Sequence, residues 1–186
     1  MTRFIFFFLL AATPLFWAEY ASGAQTWKRI NTRYLMIQYQ SRGDLERFDR
    51  GIEPVKHVAG FLGFKSSEGP KTNSLSEKLD LLVKKVQLIL DMQKPIMVNL
   101  RIYPGPKELK IAYFKLYKKQ NQPRAWYLYE TNTIYMNAQD VSSGMLAHEI
   151  AHAVIDHYLE ARPPRATAEI LARYVDAHLN DEAKVY

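Results

Sequence analysis

The sequence predicts an α+β domain, with strand patterns through its first three quarters and two helical patterns at its end. Its 186 residues, 48% of them hydrophobic, can fill one core. The stretch Ile96–Ile102 alternates apolar and polar residues, which is typical of a half-buried strand. Residues 141–179 carry helical spacing that Pro163-Pro164 interrupts. These patterns together favour a mixed sheet with helices packed on it.

Residues 1–24 form a predicted signal peptide, because Arg3 is followed by the apolar run Phe4–Ala12 and then by Ser22-Gly23-Ala24. We expect cleavage after Ala24, which leaves residues 25–186 as a single exported domain, periplasmic or extracellular, in a bacterial envelope. An uncleaved anchor from Phe4 to about Tyr20 is the alternative. No later stretch is apolar enough to cross a bilayer, so we expect no stable membrane span after cleavage.

The composition narrows the classes of function. The chain has no cysteine, which excludes disulfides and thiolate zinc ligands. Its formal net charge is +6, which favours contact with anionic surfaces. Five lysines at 107, 110, 115, 118 and 119 share one predicted helix, and they form either a solvated face or such a contact. No nucleic-acid motif accompanies them, and we expect no nucleic-acid partner.

The elements begin with two short strands. Alternation predicts strands over Thr26–Ile30 and Arg33–Gln40, with Asn31-Thr32 as the turn between them. Apolar residues at helical spacing predict a helix over Asp44–Phe61 that Asp44 caps. Residues 65–73, with serine, glycine and proline, are a predicted loop.

The middle of the chain continues this alternation of helix and strand. Ser74-Leu75-Ser76-Glu77 has the form of a capping box and predicts a helix that ends before Pro95. The strand Ile96–Ile102 follows and is closed by Pro104-Gly105-Pro106. A helix from Lys107 to about Lys119 comes next.

A hairpin and two helices complete the plan. Ala125–Glu130 and Thr133–Asn137 are rich in aromatic and β-branched residues and are separated by two polar residues, which predicts a hairpin. Asp140 is the predicted cap of a helix over Val141–Glu160. The last helix follows within Pro163–Leu179.

The chemistry is concentrated in the run His-Glu-Ile-Ala-His at residues 148–152. His148 and His152 are four residues apart, so their side chains lie about 40 degrees apart around a helix and can reach one cation. Glu149 can touch a metal-bound water without being a ligand, as a general base must. Zinc lowers the pKa of a bound water towards ~7. The spacing therefore predicts metal-assisted peptide hydrolysis, whereas a pair of surface histidines beside a glutamate is the alternative.

A catalytic zinc needs a third protein ligand, and Glu169 is the best candidate. It lies on the last predicted helix, which the two prolines fold back against the preceding one. Three small residues near it allow close approach, namely Ala166, Ala168 and Ala172. His157 lies about 140 degrees from His152 around the helix and points elsewhere. Three ligands from one straight helix converge poorly, so we place Asp156 outside the ligand set.

The two segments resemble the gluzincin metallopeptidases, in which His-Glu-x-x-His is followed by Glu-x-x-Ala on a second helix. Here these are His148–His152 and Glu169–Ala172. The resemblance, to a minimal or peptidase-MA-like member, covers roughly residues 96–179. It implies a zincin-like sheet and one Zn²⁺ per chain, with His148, His152 and Glu169 as ligands and Glu149 as general base and proton shuttle.

The resemblance also implies where a substrate binds. In gluzincins an edge strand just before the active-site helix pairs with the substrate backbone, and Ala125–Tyr129 with Thr133–Asn137 resembles that pair of strands. Trp126, Tyr127 and Tyr129 are therefore candidate substrate-binding residues. An ordinary aromatic hairpin packed on the core is the alternative.

Two departures from the family pattern limit what the resemblance implies. Larger members take an oxyanion-stabilising Tyr or His from a C-terminal part that this chain lacks. The candidates left for that role are Tyr127, Tyr129, Tyr174 and His178. Arg173 stands where those members have an aspartate, so partners of the ligands cannot be carried over.

The sequence therefore predicts a secreted or periplasmic zinc metallopeptidase that acts on a peptide or protein substrate through a zinc-bound water activated by Glu149. One alternative is a non-catalytic zincin-fold envelope module that binds a peptide or protein along its edge strand. Another is a basic envelope protein at anionic surfaces in which the motif is vestigial. The presence of Glu149 favours the enzyme. The sequence predicts no oligomeric state.

Overall fold

The computed structural model describes residues 26–55 and 74–181. The predicted signal peptide, the predicted loop at 65–73 and the end of the helix predicted to reach Phe61 lie outside these residues. The described strands and helices are, in chain order, β1 Lys28–Asn31, β2 Leu35–Tyr39, α1 Arg42–Gly51, α2 Leu75–Ile89, β3 Val98–Tyr103, α3 Pro106–Tyr117, β4 Ala125–Leu128, β5 Thr133–Asn137, α4 Ser143–Tyr158 and α5 Arg165–His178.

The strands form one mixed sheet in the order β1-β2-β3-β5-β4. The central pairs β2–β3 and β3–β5 are parallel, whereas β1 pairs with β2 and β4 pairs with β5 in antiparallel fashion. The predicted α+β class, with a mixed sheet and packed helices, is confirmed. Because β4 ends the order of strands, its outer backbone groups have no strand partner within the described sheet.

Each face of the sheet carries different residues, because successive side chains on a strand point to opposite sides. Ile134 on β5 lies in the main core with Ile150 of α4. The next residue, Tyr135, packs on the other face with Trp126 and with Leu109 of α3. Helices α4 and α3 therefore lie on opposite faces of the sheet.

Helix α1 begins three residues earlier than the sequence pattern predicts. Ser41 is the N-cap, and its hydroxyl accepts from the backbone N–H of Asp44 while the Asp44 carboxylate accepts from the backbone N–H of Ser41. Asp44 thus occupies the N3 position of a capping box. The helix ends at Gly51, where a Cβ atom would lie only 2.5 Å from Val141 Cγ1. Ile52 is already extended, so the predicted helix is too long.

Helix α4 is capped by Ser142 and not by the predicted Asp140. The Ser142 hydroxyl accepts from the backbone N–H of Met145, 3.2 Å away. Asp140 instead accepts from the guanidinium of Arg124, with Nε 2.6 Å from Oδ2. This pairing with a cation draws the Asp140 carboxylate away from the helix start.

Substituting alanine for Ser142 is expected to lower the free energy of unfolding by about 1 kcal/mol, because the helix loses its capping acceptor. Asp140→Ala, which removes only an exposed ion pair, is expected to cost less than about 1 kcal/mol. Urea denaturation of both variants checks this. Equal losses in the two variants would contradict the assignment of the cap.

The remaining elements lie within a few residues of their predicted bounds. Ser74 caps α2, its hydroxyl accepting from the backbone N–H of Glu77, and α2 ends before Pro95. The predicted strand over Ala125–Glu130 stops at Leu128, and a 3-10 turn over Tyr129–Thr131 joins it to β5. Among the described helices, none combines the length and the apolar character that a bilayer span requires.

Candidate metal centre

Helices α4 and α5 form the frame of the site and pack directly against each other. Ala151 of α4 and Ala172 of α5 are fully buried in the main core, where their small side chains let the two helix backbones approach. Of the three small residues predicted to aid this approach, only Ala172 is buried, whereas Ala166 is exposed and Ala168 half-buried. The return of α5 over α4 brings Glu169 to the two histidines.

His148, His152 and Glu169 offer one ligand atom each, all within 4.8 Å of one another. Nε2 of His148 lies 3.6 Å from Oε2 of Glu169, and Nε2 of His152 lies 3.8 Å from Oε1 of the same carboxylate. The ligand atoms of a tetrahedral zinc ion are separated by about 3.3 Å, which follows from bonds of ~2.0 Å. The three groups are therefore spaced to hold such an ion with little movement.

Asp176 orients His148, and the sequence interpretation missed it. Its Oδ2 lies 2.9 Å from Nδ1 of His148. In the neutral imidazole the Asp176 carboxylate accepts from Nδ1–H, which leaves the lone pair of Nε2 free for a metal. Asp176 follows Glu169 by seven residues, which places both on one face of α5, and this spacing is the signal that could have identified it.

Replacing Asp176 with alanine is expected to weaken zinc binding by roughly 10- to 100-fold, since His148 loses the group that fixes its tautomer and ring orientation. The measurement is a zinc titration by calorimetry. Glu160→Ala, which removes an exposed carboxylate just beyond α4, serves as the control and should bind zinc as the parent does. Unchanged affinity in Asp176→Ala would contradict the orienting role.

Glu149 points into a buried position, with only 9% of its surface exposed. Burial raises the pKa of its carboxyl group to about 7, an effect that positive charge on His148 and a hydrogen bond from the backbone N–H of Tyr127 partly offset. The negative charges of Glu169 and Asp176 raise the same pKa. A carboxyl group with a pKa near neutrality can both accept and return a proton.

In the metal-free protein, the free energy of unfolding is expected to fall as the pH rises from about 4.5 to about 7. The folded chain keeps the Glu149 carboxyl protonated in this range while the unfolded chain has released the proton, which costs roughly 3 kcal/mol by pH 7. Because His152 titrates nearby, the test is the difference between the parent and Glu149→Gln, each treated with chelator. A difference that does not change with pH would contradict this account.

The imidazole of His152 is held in its neutral form, the form that binds a metal. Burial lowers its pKa, and the positive charges of His148, Arg165 and Arg162 lower it further, whereas Glu169 raises it. Nε of Arg165, on an exposed side chain, lies 3.8 Å from Oε1 of Glu169. The guanidinium groups therefore favour the neutral form of His152.

His157 and Asp156 of α4, which the sequence pattern places outside the ligand set, do not belong to the group of possible metal ligands among the described residues. Nδ1 of His157 lies 2.8 Å from the backbone oxygen of Ala153, so the ring is directed along its own helix. Asp156 is half-buried, and its Oδ1 lies 3.6 Å from Nε of Arg162. Both positions agree with the expectation that neither side chain is a ligand.

The three candidate substrate-binding residues occupy different surroundings. The Trp126 ring stacks on Tyr135 with centroids 4.8 Å apart, on the sheet face opposite α4. Tyr127 packs against the main core and its hydroxyl donates to Oδ1 of Asn132 at 3.3 Å. Tyr129 is exposed beneath the guanidinium of Arg162, 4.7 Å from its ring centroid. Trp126 can therefore meet a substrate in the site only through its backbone.

The candidate oxyanion-stabilising groups on α5 contact each other. The Tyr174 and His178 rings lie 4.0 Å apart, and Nδ1 of His178 is 2.8 Å from the Tyr174 backbone oxygen. Tyr127 is the candidate tied to the site, because its backbone N–H donates to Glu149. Burial raises the pKa of the Tyr127 phenol far above its ordinary value, and its one proton goes to Oδ1 of Asn132, so it would have to leave Asn132 to serve an oxyanion.

Comparison of the chain with protein-family models, with curated proteins and with solved structures returned no match. The function of the site therefore has to be inferred from the chemistry of its own residues. Two imidazoles and one carboxylate, without a thiolate, form a ligand set that can hold a divalent cation such as Zn²⁺ or Fe²⁺.

Proposed function

We propose that this chain is an exported, zinc-dependent metallopeptidase of the cell envelope with a zincin-like fold, acting on a peptide or protein substrate. The observation that carries the proposal is the convergence of His148, His152 and Glu169 beside the buried carboxyl group of Glu149. The His-x-x-x-His spacing alone could be accidental. Its combination with a third ligand from another helix and a neighbouring base is much more specific.

A Zn²⁺ ion held by these three residues would supply Lewis-acid chemistry, since it lowers the pKa of a bound water and polarises a carbonyl group. Glu149 would accept a proton from the attacking water and later deliver it to the leaving amine. In the metal-free protein burial raises the pKa of Glu149 to about 7, and the positive charge of a bound zinc ion would lower this pKa and favour the ionised carboxylate that accepts the proton.

The edge strand β4 supports a peptide as substrate. Its outer backbone groups are unpaired within the described sheet, so an extended peptide can add to it as a further strand. Helix α4, which carries Glu149, packs directly against β4. A peptide bound along β4 would therefore lie near the carboxylate that must act on it.

The test is hydrolysis of an unstructured protein such as casein by the purified, zinc-loaded chain. We expect cleavage that a chelator abolishes and that added zinc restores. Cleavage that persists after complete metal removal would contradict the mechanism. If zinc binds and no panel of unstructured peptides is cleaved, the proposal of catalysis fails.

The second candidate is a non-catalytic module that binds a peptide along β4 and keeps the metal for structure. The unpaired edge of β4 favours this binding module and the enzyme equally. Glu149 separates the two, because a structural zinc site gains nothing from a buried carboxyl group that does not bind the metal. Peptide binding without hydrolysis would support this module.

A further inference from the structure

The outward surface of α3 carries an apolar pair that no part of the described chain covers. Ile111 is 54% exposed and Phe114 is 45% exposed. They are three residues apart and therefore adjacent on the helix surface. The opposite side of α3 already meets the sheet through Leu109 and Ala112, both buried. Helix α3 is thus apolar on two sides, and packing against the sheet explains only one of these two sides.

Lysines surround this apolar pair. Lys107, Lys110, Lys115 and Lys118 are all exposed, and within the described residues no ion pair is formed by any of them. At about 100 degrees per residue, Lys107, Lys110 and Lys115 fall within about 60 degrees of Ile111 or Phe114 around the helix, and Lys118 follows the helix directly as its C-cap. We call these four lysines with Ile111 and Phe114 the basic-apolar face.

The helix offers little negative charge to neutralise this face. Its one acidic residue is Glu108, which is half-buried and lies towards Gly105 at the start of the helix. The four lysines therefore present an uncompensated positive field around an apolar centre. Such a combination is typical of helices that lie in the interface of an anionic membrane.

The basic-apolar face lies away from the candidate metal centre. Leu109 of α3 packs on the sheet face that carries Tyr135, whereas α4 packs on the other face. Trp27, near the start of the described chain, lies on the same side as α3 and contacts Tyr103 edge-on at 5.2 Å. A surface that binds the basic-apolar face would leave His148 and Glu169 open.

We propose that the basic-apolar face docks this protein onto an anionic lipid surface. The lysine ammonium groups contact lipid phosphates, while Ile111 and Phe114 enter the boundary between headgroups and acyl chains. Charge complementarity selects an anionic surface over a zwitterionic one. This docking does not depend on the proposed peptidase activity.

The experiment uses protein expressed from the full 186-residue sequence and purified after any processing by the cell. Because the sequence has no cysteine, one introduced cysteine gives a single labelling site. Phe114→Cys carries an environment-sensitive dye, and Glu46→Cys, exposed on α1, carries the same dye as the control position. Vesicles of phosphatidylglycerol and phosphatidylcholine are compared with vesicles of phosphatidylcholine alone. Because the readout is local, it reports on α3 even if residues 1–24 remain attached.

We expect a blue shift of the dye at position 114 with the anionic vesicles only, and none at position 46. Adding Lys110→Gln and Lys115→Gln should weaken the apparent affinity roughly fivefold per lysine. Lys28→Gln with Lys94→Gln removes the same charge from exposed sites elsewhere and should have a much smaller effect.

Three results would overturn the proposal. One is the absence of a shift at position 114 with anionic vesicles. Another is an equal shift with phosphatidylcholine alone, which would remove the role of the lysines. The third is a shift produced by soluble polyglutamate and not by vesicles, which would assign the face to an acidic protein.

Discussion

Replacing Glu149 with glutamine is expected to lower the rate of peptide hydrolysis by roughly 10²- to 10⁴-fold, the range that general acid-base catalysis contributes. The amide keeps the shape of the side chain and can still meet the Tyr127 backbone N–H through its oxygen. It cannot accept a proton from water. Hydrolysis of casein by the zinc-loaded variant, measured beside the parent, gives this ratio.

The same variant should keep its zinc, because Glu149 does not belong to the group of three possible ligands. Glu160→Gln, an exposed change just beyond α4, is the matched control and should keep both zinc and activity. If Glu149→Gln retained more than about a tenth of the parent rate, the carboxylate would not be the base that acid-base catalysis requires.

Replacing Glu169 with glutamine is expected to weaken zinc binding by more than the roughly 10- to 100-fold that loss of a partner outside the coordination sphere costs. Glutamine removes the only negative charge among the three candidate ligands. It also leaves Arg165 without the carboxylate that it approaches at 3.8 Å. Zinc titration of this variant and of Glu160→Gln measures the difference.

Folding of Glu169→Gln should be unaffected, because the side chain is partly exposed at the surface of α5. A far-ultraviolet circular dichroism spectrum identical to that of the parent would establish this. Zinc affinity equal to that of the parent would show that Glu169 is not a ligand, and the metal would then need a different third group.

The periodicity of the sequence predicts which segments are helices and strands, but it misplaces the end of α1 and the caps of α1 and α4. Residue type alone does not separate the observed caps, Ser41 and Ser142, from the predicted caps, Asp44 and Asp140, because all four residues are acceptable at an N-cap. Asp140 is drawn to Arg124, and Asp44 takes the reciprocal position of a capping box. The contact of Asp140 with Arg124, 16 residues away in the sequence, decides the cap of α4. Such a contact is not visible in local spacing.

The site was predictable to the extent that it is local. His148, Glu149 and His152 lie on one helix, so their spacing alone predicts that they share a region of space. The approach of Glu169 depends on the return of α5, which Pro163-Pro164 and the small Ala172 suggest. The contact of Asp176 with His148 also depends on how α5 is rotated about its axis, which packing sets.

Zinc content of the purified protein, processed by the cell from the full chain, tests the central claim most directly. We predict one zinc ion per chain, with X-ray absorption showing two imidazole nitrogens and oxygen ligands at about 2.0 to 2.2 Å. A protein that holds no zinc after incubation with the metal, or one whose zinc is bound without His148 and His152, would contradict the account.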